Sequence, residues 1–335
     1  MCNRSVNYQG IDYLKLIFAL IVVAIHTNMA SYFQDDAILA VIVKWIFDIS
    51  VPVFFIASGF FAGEKMKKEK NSFGILKNMK SLFRLYLIWG IWYTLLGGLR
   101  AVIQGNDFST TMKSHLYRSL IGSPGGGLWY VFSLICSFII IYVLFKRRIT
   151  TKRLYIVLFA AWMLFCASHL VFGKEVEMGG VGNILSDLYT RIFLDTKIFT
   201  FWLLYVVIGI YASYFNGRSN SFVFILMISS ALVFNFVNKE VAYQFFVVWT
   251  SFAIFEFALT VGTKFPVNPK AEKVRKLSTI VYFTHYTVIL AIKFVFELFS
   301  FPEVDVIIYL GTVIFLLSYG MLLMATSPKV SNWLY

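Results

Sequence analysis

Residues 11–29 read Ile11-Asp12-Tyr13-Leu14-Lys15-Leu16-Ile17-Phe18-Ala19-Leu20-Ile21-Val22-Val23-Ala24-Ile25-His26-Thr27-Asn28-Met29. At about 1.5 Å per residue, this stretch is nearly as long as a hydrocarbon core of about 30 Å is thick. The run lacks an A-x-A-like cleavage site and carries Asp12 and His26, so it reads as a first membrane helix and not as a secretory leader. Comparable apolar stretches recur along the chain at 38–62, 79–104, 128–146, 153–172, 197–215, 221–238, 242–262, 278–298 and 304–326. Composition agrees: 59% of the 335 residues are apolar and 14% charged, against roughly 45–50% and 25% in soluble domains. The expected fold is all-α, a polytopic transmembrane bundle of about ten spans.

Charge orients this bundle. Of the 30 basic residues, twenty fall in segments that are internal if the N-terminus is internal, from Lys65, Lys67 and Lys68 through Arg84, Arg147 and Arg148 to Lys264–Lys276 and Lys329. Seven fall outside, and Lys15, Lys44 and Lys293 lie within spans. The positive-inside rule therefore places both termini in the cytoplasm. The same distribution accounts for the net charge of +13 as topology plus attraction to anionic membrane lipids. Nucleic-acid binding would need a solvated basic face or a recognition module, and neither is present. Cys136 and Cys166 fall inside spans and Cys2 at the terminus, leaving no disulfide framework and no metal-binding spacing.

Residues 1–335 read as a single membrane domain, with long connections at 105–127 and 173–196 outside and a basic one at 63–78 inside. Gly122-Ser123-Pro124-Gly125-Gly126-Gly127 is a loop by composition and lacks the Gly-Lys-Ser/Thr ending of a phosphate-binding loop.

Ionisable groups inside spans are costly, which makes each a candidate for function. Lys15 and His26 stand eleven positions apart, which returns them to within about 20° of one helical face at an axial separation of about 16 Å. Asp12 lies near the same face. His26 is also readable as a buried packing imidazole, and Lys15 as a chain that snorkels to the headgroups. An imidazole with an ordinary pKa of about 6.5 is nonetheless the natural proton acceptor at neutral pH. Asp48 lies deep in the second span, where it is expected to orient or pair with His26 or with a lysine. Pro52 with Ser58-Gly59 predicts a kink and close helix packing. Trp129-Tyr130 fits an interfacial aromatic belt, and Tyr282, His285 and Tyr286 form a polar cluster, either a packing unit or a second wall of a site.

Taken in order, these segments resemble the acyltransferase-3 family of bacterial membrane acyltransferases. The matching pieces are Gly10-Ile11-Asp12-Tyr13-Leu14-Lys15 with Val22-Val23-Ala24-Ile25-His26, Val51-Pro52-Val53-Phe54-Phe55 with Ser58-Gly59-Phe60, Lys77 through Arg84, Leu128-Trp129-Tyr130, and Tyr282-Phe283-Thr284-His285. Two departures stand out. Lys15 replaces a customary arginine, keeping the charge but losing the bidentate fork, and Leu85-Tyr86-Leu87 stands where a proline is common. The chain is also similar to the membrane part of vancomycin-resistance serine racemases, although residues 1–335 contain no racemase domain.

The resemblance implies an O-acyltransferase of the bacterial plasma membrane. It would move a short acyl group, acetyl first, from cytoplasmic acyl-CoA to a hydroxyl of a cell-surface polysaccharide or lipid-linked sugar. Acyl-CoA is then a cosubstrate, and no permanently bound cofactor is expected. Within that frame His26 is the general base, with Asp48 as its companion; Lys15 and Arg84 hold the CoA phosphates; and Ser58, Trp129, Tyr130, Tyr282 and His285 line the acyl and acceptor site. The rival reading is a module that transports a small solute such as an amino acid, in which the polar stripe lines a pathway.

Overall fold

The computed structural model describes residues 8–69, 73–120, 127–146, 201–215, 239–266, 268, 270–302 and 304–326. Among them lie nine α-helices and no strand: α1 (Gln9–His26), α2 (Ala37–Glu69), α3 (Phe73–Ile103), α4 (Phe108–Leu120), α5 (Trp129–Lys146), α6 (Phe201–Phe215), α7 (Lys239–Lys264), α8 (Ala271–Leu298) and α9 (Asp305–Thr326), with a 3-10 turn at Met29–Phe33. Seven of the nine are long and apolar enough to cross a membrane, and α6 contains a shorter apolar helix, Trp202–Tyr214. Eight of the ten expected spans each coincide with one helix, and those at 153–172 and 221–238 lie outside the described residues. The chain is a multi-pass helical membrane protein.

The helix ends explain where the sequence reading fell short. Helix α1 stops at His26 because Asn28 adopts a left-handed backbone (φ 58°), a conformation that asparagine tolerates at helix termini. The Thr27 hydroxyl donates to the carbonyls of Val23 and Ala24 beside it. Helix α2 runs on to Glu69 and α3 starts at Phe73, so the basic stretch at 63–78 is largely helical. Lysines lower its apolarity but are good helix formers. The connection at 105–127 contains α4, which the Asp107 carboxylate caps by accepting from the Thr110 amide at 2.7 Å. Those side-chain and backbone bonds to Thr110 hold the Asp107 carboxyl below its ordinary range.

The chain clusters into two compact units, residues 1–54 with 254–335, and residues 55–253. In the first unit α1 packs along α8 and touches α9, and α8 packs on α9. Lipid is as apolar as leucine, so these contacts are held by close packing and polar pairing more than by water exclusion. Asp12 and Lys15 near the start of α1 lie within electrostatic range of Arg275 near the start of α8, and His26 near the end of α1 meets His285. The two helices are therefore parallel. The Asn28 amide reaches Asp305 at the start of α9 at 3.2 Å, so α9 runs antiparallel to α1. These directions agree with a chain in which α1 and α8 are first and ninth of ten crossings.

The last turns of α7 meet the start of α1. Gly10 and Gly262 let the backbones touch, since a Cβ at Gly10 would collide with the Ala258 carbonyl. The buried Gln9 amide locks the junction. Its nitrogen donates to the carbonyls of Gly262, Phe265 and Pro266 at 3.2, 3.3 and 3.0 Å, and its oxygen accepts from the Asn268 amide at 3.0 Å. Gln9→Leu strips these partners in a buried place, and is expected to cost about 1–3 kcal/mol. A thermal unfolding scan of the detergent-solubilised variant checks this, and an unchanged midpoint refutes it.

In the second unit α3 packs on α4 and α5, and α5 on α6. Helix α2 crosses α6 at a stripe of small residues. A Cβ at Gly59 would strike the Val206 carbonyl, one at Gly209 the Ile56 carbonyl, and one at Gly63 the Ser213 hydroxyl. Gly59-x3-Gly63 faces Gly209-x3-Ser213, the small-xxx-small pattern of membrane helix pairs. On α3, Gly97 makes room for the His115 imidazole of α4, and Gly98 for Phe108 and Met112.

Candidate functional site

The first unit gathers the ionisable groups of α1 against α8. His26 sits in the last turn of α1, with its ring centroid 5.1 Å from that of the fully buried His285 and the planes tilted by 37°. Tyr286 approaches His26 edge-on at 6.0 Å. The Tyr282 ring lies 6.1 Å from that of His285 and 5.9 Å from that of Phe54 on α2. Tyr282 and His285 are three residues apart, one helical turn, so both reach the same side of α8.

His285 Nδ1 is 2.6 Å from the Tyr282 carbonyl oxygen. A carbonyl only accepts, so Nδ1 carries the proton and Nε2 of the neutral ring presents its lone pair. That Nε2 is buried and has no hydrogen-bond partner among the described residues. One face of the pair is thus an acceptor fixed by the backbone of its own helix. Two neighbouring imidazoles of this kind can take up a proton and pass it along.

Toward the start of the same two helices lies a group of opposite character. Asp12 is 5% exposed, and its Oδ1 has no hydrogen-bond partner among the described residues. Lys15 and Arg275 surround it electrostatically. One acid with two bases leaves a net positive charge, suited to an anion. Lys15 and His26 share the side of α1 that meets α8, as the eleven-residue spacing predicts. Arg275 was not singled out from the sequence. It stands ten positions before His285, about 80° off that face, so helical periodicity gave no signal for it.

Asp48 is bound to Lys44 at 2.5 Å, one turn earlier on α2, a pairing with a lysine of the kind its depth suggested. Glu256 on α7 is buried. The remaining candidates belong to the second unit. Ser58 and Tyr130 share a hydrogen bond of 2.8 Å between hydroxyls. The Phe55 ring stacks on Trp202 at 4.9 Å and meets Tyr130 edge-on at 4.5 Å, and Trp129 lies 4.9 Å from Trp202. Ser58, Trp129 and Tyr130 are thus brought together, around a tryptophan that sequence reasoning missed because it sits in an otherwise uniform apolar run. Arg84 is exposed on α3. Removing the hydroxyl with Tyr130→Phe is expected to cost about 1 kcal/mol. A double-mutant cycle with Ser58→Ala measures the coupling, which additive losses would refute.

Comparison with known proteins adds the chemistry. Residues 8–326 match the acyltransferase-3 family model, described as an acyltransferase domain. An amino-acid racemase of Enterococcus faecalis is 38% identical over 59 residues, covering 18% of this chain and 8% of that protein. The match therefore spans only a small part of the racemase. No solved structure matches the chain.

Proposed function

Because this chain belongs to the acyltransferase-3 family, we propose that it transfers a short acyl group, acetyl in the first instance, from cytoplasmic acyl-CoA to a hydroxyl of an extracytoplasmic glycan or lipid-linked sugar, in the bacterial plasma membrane. The observation that carries this reading is the His26–His285 pair at 5.1 Å. It lies at the opposite end of α1 from the cluster of Asp12, Lys15 and Arg275. About 16 Å of helix separates the imidazole from Lys15. In this reading Lys15 and Arg275 hold the CoA phosphates, and the extended pantetheine arm covers the distance.

His26 takes the proton of the acceptor hydroxyl as its oxygen attacks the thioester carbonyl carbon. The tetrahedral adduct then collapses, the carbon–sulfur bond breaks, and the imidazolium returns the proton to the departing thiolate. His285 is proposed as a positioning residue: its Nε2, unpartnered among the described residues, takes an N–H of His26 only in the reacting complex, leaving the second His26 nitrogen as the base. The Tyr282 hydroxyl is the proposed donor to the developing oxyanion. Asp48, engaged with Lys44, is given no step. Arg84, Ser58, Trp129 and Tyr130, which the family resemblance implies for the phosphates and the acyl site, belong to the second unit and are given no step here.

The test is mass spectrometry of cell-surface glycans with and without the protein, together with thiol release from acetyl-CoA by proteoliposomes. Acyl esters that depend on the protein support the proposal. Unchanged esters with solute flux in the absence of CoA would establish the transport reading instead.

A further inference from the structure

A cavity of about 760 Å³ lies between α1 and α7 in the first unit. On α1 it is lined by Gly10, Tyr13, Leu14 and Ile17, the side of the helix opposite Asp12, Lys15 and His26 by rotation. It therefore belongs to neither the imidazole pair nor the cation cluster. Its walls are apolar along most of their length, with Ile17 55% and Phe257 69% exposed. On membrane-crossing helices such surface meets lipid.

Polarity is confined to one end, where Gln9, Tyr13 and Asn268 line the groove. Gln9 is spent on the α7 junction described above. The Tyr13 hydroxyl accepts from the Asn268 amide at 2.9 Å, which leaves its own O–H to donate. Lys264 and Lys270, both exposed, flank this end. Lys264 precedes the lining residue Phe265, and the Lys270 backbone is bonded to the Asn268 side chain at 2.9 Å. Neither ammonium has an acidic partner among the described residues, and the nearby Glu272 is engaged by Lys276 at 3.0 Å.

An apolar channel with a hydroxyl donor and, at one end, two cations that lack an acidic partner among the described residues matches one amphiphile: a long acyl chain on an anionic phosphodiester. The positive-inside distribution puts that end at the cytoplasmic leaflet, where anionic lipids reside. We propose that the α1–α7 groove is a binding site for one anionic phospholipid, its chain along Leu14, Ile17 and Phe257 and its phosphate at Tyr13, Lys264 and Lys270.

The experiment is native mass spectrometry of the full chain released from mixed phosphatidylglycerol and phosphatidylcholine micelles. The wild type is expected to retain one phosphatidylglycerol in clear preference. Each lysine near an anionic surface contributes roughly fivefold, so K264E/K270E is expected to cut that preference by at least about twenty-five-fold. Leu14→Trp, which fills the channel and leaves the charges, is expected to abolish retention. Soluble glycerol phosphate in excess is expected not to displace the lipid. Melting curves without lipid check that the variants fold, and the charge variant alone decides if Leu14→Trp does not. Equal retention of both lipids, retention indifferent to the charge variant, displacement by glycerol phosphate, or a second copy of the chain in the groove would each overturn the proposal.

Discussion

Replacing His26 by alanine is expected to lower acyl transfer by about 10²–10⁴-fold, the usual contribution of a general acid–base group, while the protein stays inserted and folded. The side chain stands at the end of α1, half-buried beside His285 and Tyr286, and among the described residues no hydrogen bond that holds the fold runs through it. Its loss removes a proton acceptor and leaves α1 packed through Phe18, Ala19, Val22 and Val23. Substrate binding at the distant cation cluster should survive, so kcat is expected to fall more than KM changes. His285→Ala is expected to be milder. His285→Gln, whose amide oxygen can still accept from His26, should recover part of the loss and move the pH–rate profile less than alanine does. The measurement is initial-rate thiol release with each variant across pH. Full activity in His26→Ala would end the acyl-transfer mechanism proposed here.

Gly59→Leu and Gly209→Leu are expected to destroy the second unit's fold. At both positions the added carbon meets a carbonyl of the facing helix, and backbone cannot swing aside as a side chain can. Overpacking a core costs typically about 1–3 kcal/mol, and here the helices must separate along a seam where Gly63 and Ser213 also touch. The loss should exceed that range, and appear as aggregated or degraded protein on size-exclusion chromatography in mild detergent. Gly90→Leu is the control: no atom lies within 4 Å of a Cβ built there, and near-normal behaviour is expected. A monodisperse, thermally intact Gly59→Leu protein would refute the account.

Much of this architecture is written in local pattern. Long apolar runs gave the spans, because a helix in lipid must satisfy its own backbone and can hardly be anything else. Lys15 and His26 fell on one side of α1 because eleven residues close nearly three helical turns. What local pattern cannot give is which helix that side meets. His285 is far along the chain from His26, and nothing in either segment names the other. Asp48 finds its lysine one turn away at Lys44, a partner that the i, i+4 spacing alone makes visible. Helix α4 escaped because its residues are apolar on one side only, and a hydropathy window averages that away. The glycines of α2 announced close packing, but not that α6 supplied the opposing surface.

The imidazole of His285 is held through Nδ1 by a carbonyl of its own helix, three residues back. Its acceptor nitrogen is therefore rigidly tied to α8, like a pointer fixed to a shaft. Any turn of that helix about its axis sweeps the lone pair through the same angle without a rotamer change, and damage confined to α1 leaves the tautomer as it was. The Nδ1-protonated tautomer of His285, read from its nitrogen chemical shifts, should thus survive the loss of His26.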